Sequence, residues 1–338
     1  MNTFMFALNA IMPIILLILL GYILKKKGFL DEGWFKKGNK FVFRVCLPVL
    51  LFVNVYNIES FADIDWQVIL YSEFAIMVVF LLGLVLVQYT VSDERQKGVI
   101  LQCVFRSNYA IIGIPLAESL GGAEGVAVAA ILSAFSIPTF NILAVISLNM
   151  YIKRENGEGI QFANTLKKIV TNPLIIGVVC GLIVLAIRAV LPKNSDNVPL
   201  FSLSDDMPFI YSAFSNLAKI SSPLALVILG GLFDFSAVKE LKKQIFIGTV
   251  ARVVVVPCMV LGAAIILSKY MNIINIDNTA FPALVALSGS PVAVSSAIMA
   301  QEMENDGVLA GQLVVWTSVM SIFTLFIIIA ILRGLGVL

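Results

Sequence analysis

Two segments of this 338-residue chain carry the residue types best suited to holding a small ion in apolar surroundings. The first reads GVILQCVFRSNYAIIGIPLAESLGG, with Arg106, Ser107 and Asn108 followed by Gly113 and Pro115. The second reads FPALVALSGSPVAVSSAIMAQEM, with Ser288, Gly289, Ser290 and Pro291 followed by Ser295 and Ser296. Proline and small polar residues free backbone groups that hydrocarbon cannot satisfy, so such segments must line protein or a wet cavity. Where two broken helices cross, their half-helix N-termini converge, and their positive ends favour an anion. The chemistry expected is therefore anion binding by Arg106, Ser107, Asn108, Ser288, Ser290, Ser295 and Ser296. Gly113, Pro115, Gly289 and Pro291 would keep the helices open at the crossing.

Each of these residues also has a plainer reading. Arg106 lies only about 10 Å from the near end of its segment at helical rise, within reach of a snorkelling side chain. The serines can be lining groups or small packing residues, and no base accompanies them as it would a nucleophile. A single broken helix can be a kink whose freed carbonyls are filled locally. Two in matching positions point to a transport site. Elsewhere Glu73 and Arg252 occupy the corresponding segment of each half, and the two could pair as a structural ion pair or serve a proton relay.

The elements that must position these residues are membrane spans. Hydrophobic residues make up 59% of the chain and charged residues 13%, with a mean hydropathy of +0.98. A soluble domain carries about 25% charged residues, so this is an integral membrane protein. The four cysteines (Cys46, Cys103, Cys180, Cys258) stand singly in apolar segments, and there is no histidine. A disulfide framework, a zinc site and a histidine triad are thereby disfavoured; no metal and no cofactor is expected. No basic stretch with interleaved aromatics suggests nucleic acid, and no acidic or metal-binding cluster suggests an intramembrane enzyme.

About 20 apolar residues cross the bilayer core. Such runs lie near 5–24, 41–57, 67–90, 99–117, 124–150, 169–191, 209–232, 244–268, 280–301 and 307–332, which predicts ten spans. The first is read as a span rather than a cleaved signal, because Lys25, Lys26 and Lys27 follow it. Linkers after spans 1, 3, 5 and 7 hold fifteen lysines and arginines against two after spans 2, 4, 6 and 8. That bias puts the odd linkers in the cytoplasm and both termini outside.

Spans 2 and 7 each carry a proline, Pro48 and Pro223, and spans 4 and 9 are the interrupted ones. Five is an odd number, so two five-span copies in tandem lie in opposite orientations. The fold predicted is an all-α bundle of ten transmembrane helices as two inverted five-helix repeats, residues 1–165 and 166–338, with broken crossover helices 4 and 9. A stretch around 192–208 reads as an extracellular loop.

The stretch Asn108 to Pro115 resembles the fourth-span N-x5-(I/V)-P element of the auxin efflux carrier family, which includes plant PIN proteins and bacterial malonate or malate carriers. Ser288 to Glu302 and the long last span are similar to that family's end. The resemblance covers essentially the whole chain. It implies a PIN-like fold, akin to sodium–proton antiporters. A scaffold would comprise spans 1, 2, 6 and 7, and a transport domain spans 3–5 and 8–10. It also implies elevator movement of a small organic anion and a homodimer. Asn108 and Pro115 match the family's first crossover. At the second, the chain offers Pro291 and Ser296, and a proline of plant members at the latter position is absent.

The function expected is secondary transport of a mono- or dicarboxylate, such as malonate, malate or an auxin-like acid, across the plasma membrane. The alternatives are a sodium- or proton-coupled carrier of another anionic solute, akin to bile-acid symporters, and an anion channel.

Overall fold

The computed structural model describes residues 3–57, 66–151, 171–190, 202–234 and 236–338. Those residues are almost wholly helical. Six helices among them are long and apolar enough to cross a membrane: Glu32–Tyr56, Trp66–Thr90, Tyr109–Met150, Pro208–Leu232, Lys242–Tyr270 and Gly307–Gly334. Pro173–Arg188 is a shorter apolar helix. Both interrupted segments are broken: Glu94–Phe105 is separate from Tyr109–Met150, and Phe281–Gly289 from Ser295–Glu302. The predicted boundary between halves at 165/166 and most of the 192–208 loop lie outside the described residues. The described end of that loop contains a short helix, Leu203–Asp206.

In chain order the first helices are α1 (Thr3–Lys26), α2 (Glu32–Phe41), α3 (Leu47–Tyr56), α4 (Trp66–Thr90) and α5 (Glu94–Phe105). Then come α6 (Ile114–Met150), α7 (Pro173–Val190), α8 (Leu203–Asp206), α9 (Pro208–Leu232) and α10 (Ala237–Glu240). The last are α11 (Lys242–Val250), α12 (Val256–Ile265), α13 (Phe281–Gly289), α14 (Ser295–Glu302) and α15 (Gly307–Gly334).

Proline chemistry shapes several of these boundaries. Wide π-turns at Val42–Cys46, Tyr109–Gly113 and Ala251–Val255 each lead directly into a helix whose second residue is proline: Pro48, Pro115 and Pro257. The proline ring clashes with the carbonyl four residues back and donates no hydrogen bond, and an i→i+5 turn relieves both problems. Pro223 sits instead inside a continuous α9, so the two prolines paired by the sequence pattern have different backbone settings. Inside α6, Gly122 takes φ +59° and ψ −144°, which splits that helix where the sequence predicts the end of span 4.

The helices pack in two sets of neighbours, which α1 joins by also lying along α15. In one, α1 lies on α9 and α3 on α7. A Cβ on Gly230 would run into the Ile18 carbonyl oxygen, and one on Gly21 into that of Val227, so α1 and α9 touch backbone to backbone. Small residues at membrane helix contacts permit that approach. In the other set α4 and α6 flank α5, α13 lies on α6, and α14 on α15. Exposed Leu70, Phe74, Leu81, Leu82 and Val85 on α4, and Phe323, Ile327 and Ile331 on α15, give these surfaces to lipid.

Candidate functional site

α5 ends at Phe105 and the chain runs extended through Arg106, with φ −83° and ψ 117°, before the π-turn begins at Tyr109. α13 ends at Gly289, and Ser290 is likewise extended at φ −65° and ψ 147°. The two extended pieces meet side by side. Ser107 and Val292 form an antiparallel bridge, and the Asn108 amide donates to the Pro291 carbonyl at 2.8 Å. The Val292 amide donates to the Thr317 hydroxyl of α15 at 3.2 Å. Backbone groups freed by the two breaks thus satisfy each other, as a membrane interior demands.

Beside this crossing lies a cavity of about 70 Å³. Its polar lining comes from Arg106, Ser107, Asn108, Tyr109, Asn141 and Ser295, with Asn54 and Ser222 on the facing helices α3 and α9. Leu47, Leu51, Ile137, Phe140 and Leu174 supply an apolar wall. Tyr109 and Ser295 are the first residues of the two helical pieces that leave the crossing, so two N-terminal ends face the same space. Their positive ends favour negative charge.

Arg106 is 3% exposed and points inward. One Nη donates to Asn141 Oδ1 at 2.7 Å and to Ser295 Oγ at 2.9 Å, while the other donates to the Met299 sulfur. None of these partners is charged, and no acidic residue is among the described lining of the cavity. Ser107 Oγ, Asn108 Nδ2 and Tyr109 Oη are buried with no hydrogen-bond partner among the described residues. All of them can donate. The site is a cluster of donors around a cation, short of acceptors.

A family model described as membrane transport protein matches residues 6–329. The chain belongs to this family, that of the auxin efflux carriers. It is a multi-pass membrane transporter by family. An uncharacterized transporter of Methanocaldococcus jannaschii is 24% identical over 311 residues, which covers 89% of this chain and 91% of the relative.

In this transporter the structure brings together Arg106, Ser107, Asn108 and Ser295 from the residues expected at the site. It does not bring Ser288 or Ser290 into the same cavity. Their hydroxyls donate to the Leu284 and Ala286 carbonyls one turn back, both at 2.7 Å. A serine in a helix can satisfy itself this way and then has no need of a ligand. Ser296 is buried with an unpartnered hydroxyl, outside the described lining. Gly113 faces Tyr109 and Pro291 accepts from Asn108, so both hold the crossing rather than the cavity. Pro115 begins α6, and Gly289 ends α13 against Leu325.

The expected pairing of Glu73 with Arg252 is corrected by their actual partners. One Glu73 oxygen accepts from Thr139 Oγ1 at 2.7 Å, and its other oxygen is buried without a partner among the described residues. Among the described residues Arg252 donates only to backbone carbonyls. Carbonyls at helix ends already carry the negative potential that a carboxylate would have supplied. Asn54, Tyr109, Asn141 and Ser222 line the cavity and were not among the residues expected there. Asn141 is a lone amide in an apolar run, the same signal that singled out Asn108, three residues after Pro138 in a helix that runs on unbroken there.

Past α14 lies a wider polar cavity of about 540 Å³, lined by Lys25, Lys36, Arg95, Asp234, Gln301 and Glu304. Ser295 borders the small cavity and Ala297 the large one, so about half a turn of α14 stands between them.

Proposed function

We propose that the transporter is a secondary carrier for a small organic anion, bound at the crossing of its two broken helices. The observation that carries this reading is Arg106: a buried guanidinium beside a cavity, surrounded by further donors and with no carboxylate partner. A buried charge left uncompensated costs several kcal/mol, and an incoming carboxylate supplies the missing partner. One water needs roughly 10–15 Å³, so the cavity holds about five waters, the bulk of an acid of a few carbons. That favours a malonate- or malate-sized substrate over an auxin-like or bile-acid-like one.

In this reading the ten spans form two inverted five-helix repeats, the halves of which contribute one broken helix each. Spans 1, 2, 6 and 7 form a scaffold and spans 3–5 and 8–10 an elevator-type transport domain, in a plasma-membrane homodimer with both termini outside. The packing of α1 on α9 and of α3 on α7 supports that scaffold, and α1 lying along α15 joins it to the transport domain. The wide cavity lies among the lysine-rich linkers, with Lys25, Lys36 and Arg95 balanced in its lining by Glu32, Asp234 and Glu304, so it serves as a polar cytoplasmic vestibule to the site.

Asn108→Ala is expected to abolish uptake of labelled dicarboxylate into proteoliposomes while leaving the protein folded. Unaltered uptake would refute the site. Saturable counterflow separates this carrier from an anion channel, which would show none.

A further inference from the structure

Arg252 has no role in the reading above, and its surroundings are unusual for a buried charge. It is 1% exposed and sits in the π-turn Ala251–Val255, a form of backbone common at functional sites. Its Nε donates to the Ser290 carbonyl at 3.0 Å. One Nη donates to Ser290 and Leu287 carbonyls at 2.8 and 3.2 Å. The other donates to the Val104 and Phe105 carbonyls at 3.2 and 3.4 Å. Val104 and Phe105 close α5, and Leu287 and Ser290 close α13. One guanidinium therefore joins the carbonyl ends of both half-helices.

Each helix C-terminus is equivalent to about half a negative charge, so two of them facing one point amount to roughly one. A single guanidinium neutralises them. In carriers built on broken helices, such carbonyl ends are where a coupling sodium ion is held. A further cavity of about 20 Å³, room for a single water, adjoins Arg252 between Ser72, Phe105, Leu287 and Ser288.

We propose that Arg252 is a tethered resident cation that fills the sodium position of the crossing, so that the transporter works without sodium and gains a monovalent-cation site when Arg252 is removed. This rests on the carrier reading for its meaning, yet its test reads unfolding rather than uptake. The two can therefore fail separately.

Purified wild type and Arg252→Ala are compared by thermal unfolding in choline chloride, in sodium chloride of equal strength, and in choline chloride with millimolar methylguanidinium. Wild type is expected to unfold at the same temperature in all three. Arg252→Ala is expected to unfold lower in choline and to recover about 3 °C or more with sodium or with methylguanidinium. A rise with sodium in wild type overturns the proposal, as does an Arg252→Ala protein indifferent to both cations. Should that variant not fold, Arg252→Gln keeps a donor for the carbonyls and lacks the charge. It is expected to respond to sodium, whereas Arg252→Lys, which keeps the charge, is not. Equal behaviour of these two variants sinks the idea.

Discussion

Arg106 and Arg252 lie at the same crossing, both buried, and neither has an acidic partner among the described residues. They differ in what they face. Arg252 meets only carbonyls at the ends of two helices, which are fixed, negative and numerous enough to occupy its whole fork. Arg106 meets an amide oxygen within α6 and a hydroxyl and a thioether in the first two turns of α14, all neutral, beside the cavity that two helix starts face. A cation at a C-terminal end is at rest, and a cation at an N-terminal end is not. The same side chain is therefore a staple in one place and a receptor in the other, and the difference comes from backbone polarity.

The largest effect should come from breaking that contrast at Arg106. Arg106→Met removes the charge that an anion would meet, and fills the space with an apolar chain suited to neighbouring Met299. Dicarboxylate binding, measured by calorimetry or counterflow, should weaken at least about 100-fold, the scale of truncating one member of a buried charge pair. The unfolding temperature should stay level or rise, because replacing a buried ion by an apolar group is often neutral or stabilising. Intact binding with a lowered unfolding temperature would make Arg106 a second staple and end the comparison.

A smaller effect is expected at Asn141. Its Oδ1 accepts from Arg106 at 2.7 Å, and its Nδ2 donates to the Ile137 carbonyl at 2.8 Å, so the amide is held by its own helix and aims the guanidinium. Asn141→Ala removes one hydrogen bond to a charged group, and affinity should fall about tenfold. Asn141→Asp is the sharper probe. A carboxylate there would pair with Arg106 and compete with the substrate, so binding should be worse than in the alanine variant despite the conserved shape. Tighter binding in the aspartate variant would contradict the receptor role.

How far this contrast could be read beforehand depends on the residue. The breaks themselves were legible, because Pro115, Pro291 and the glycines beside them act on their own backbone. Asn108 was legible for the same reason, lying just ahead of one. Ser288 and Ser290 misled, since whether a helical hydroxyl turns back to its own carbonyl depends on packing rather than on sequence. Arg252 misled more deeply. A buried arginine prompts a search for an acid, and Glu73 was the acid in the equivalent span of the other half. The true partners are main-chain oxygens of two helices that end nearby, and no residue type encodes them. The π-turns were equally invisible, although all three that precede a proline follow a rule that can now be applied.

The smallest expected effect tests whether the two arginines are mechanically separate. Asn39 of α2 is buried and donates to Glu302 at 2.7 Å, at the far end of the helix that begins with Ser295. α14 also carries Met299, so two of the Arg106 contacts ride on it, and none of the Arg252 contacts does. Glu302→Ala should therefore loosen α14, and shift substrate affinity by roughly two- to fivefold, the scale of one hydrogen bond. It should leave the indifference to sodium untouched. Glu302→Gln retains an acceptor for Asn39 and should behave as wild type in both respects. A sodium response in the alanine variant would mean that the staple and the receptor move as one body, because loosening α14 would then have disturbed carbonyls that lie on α5 and α13.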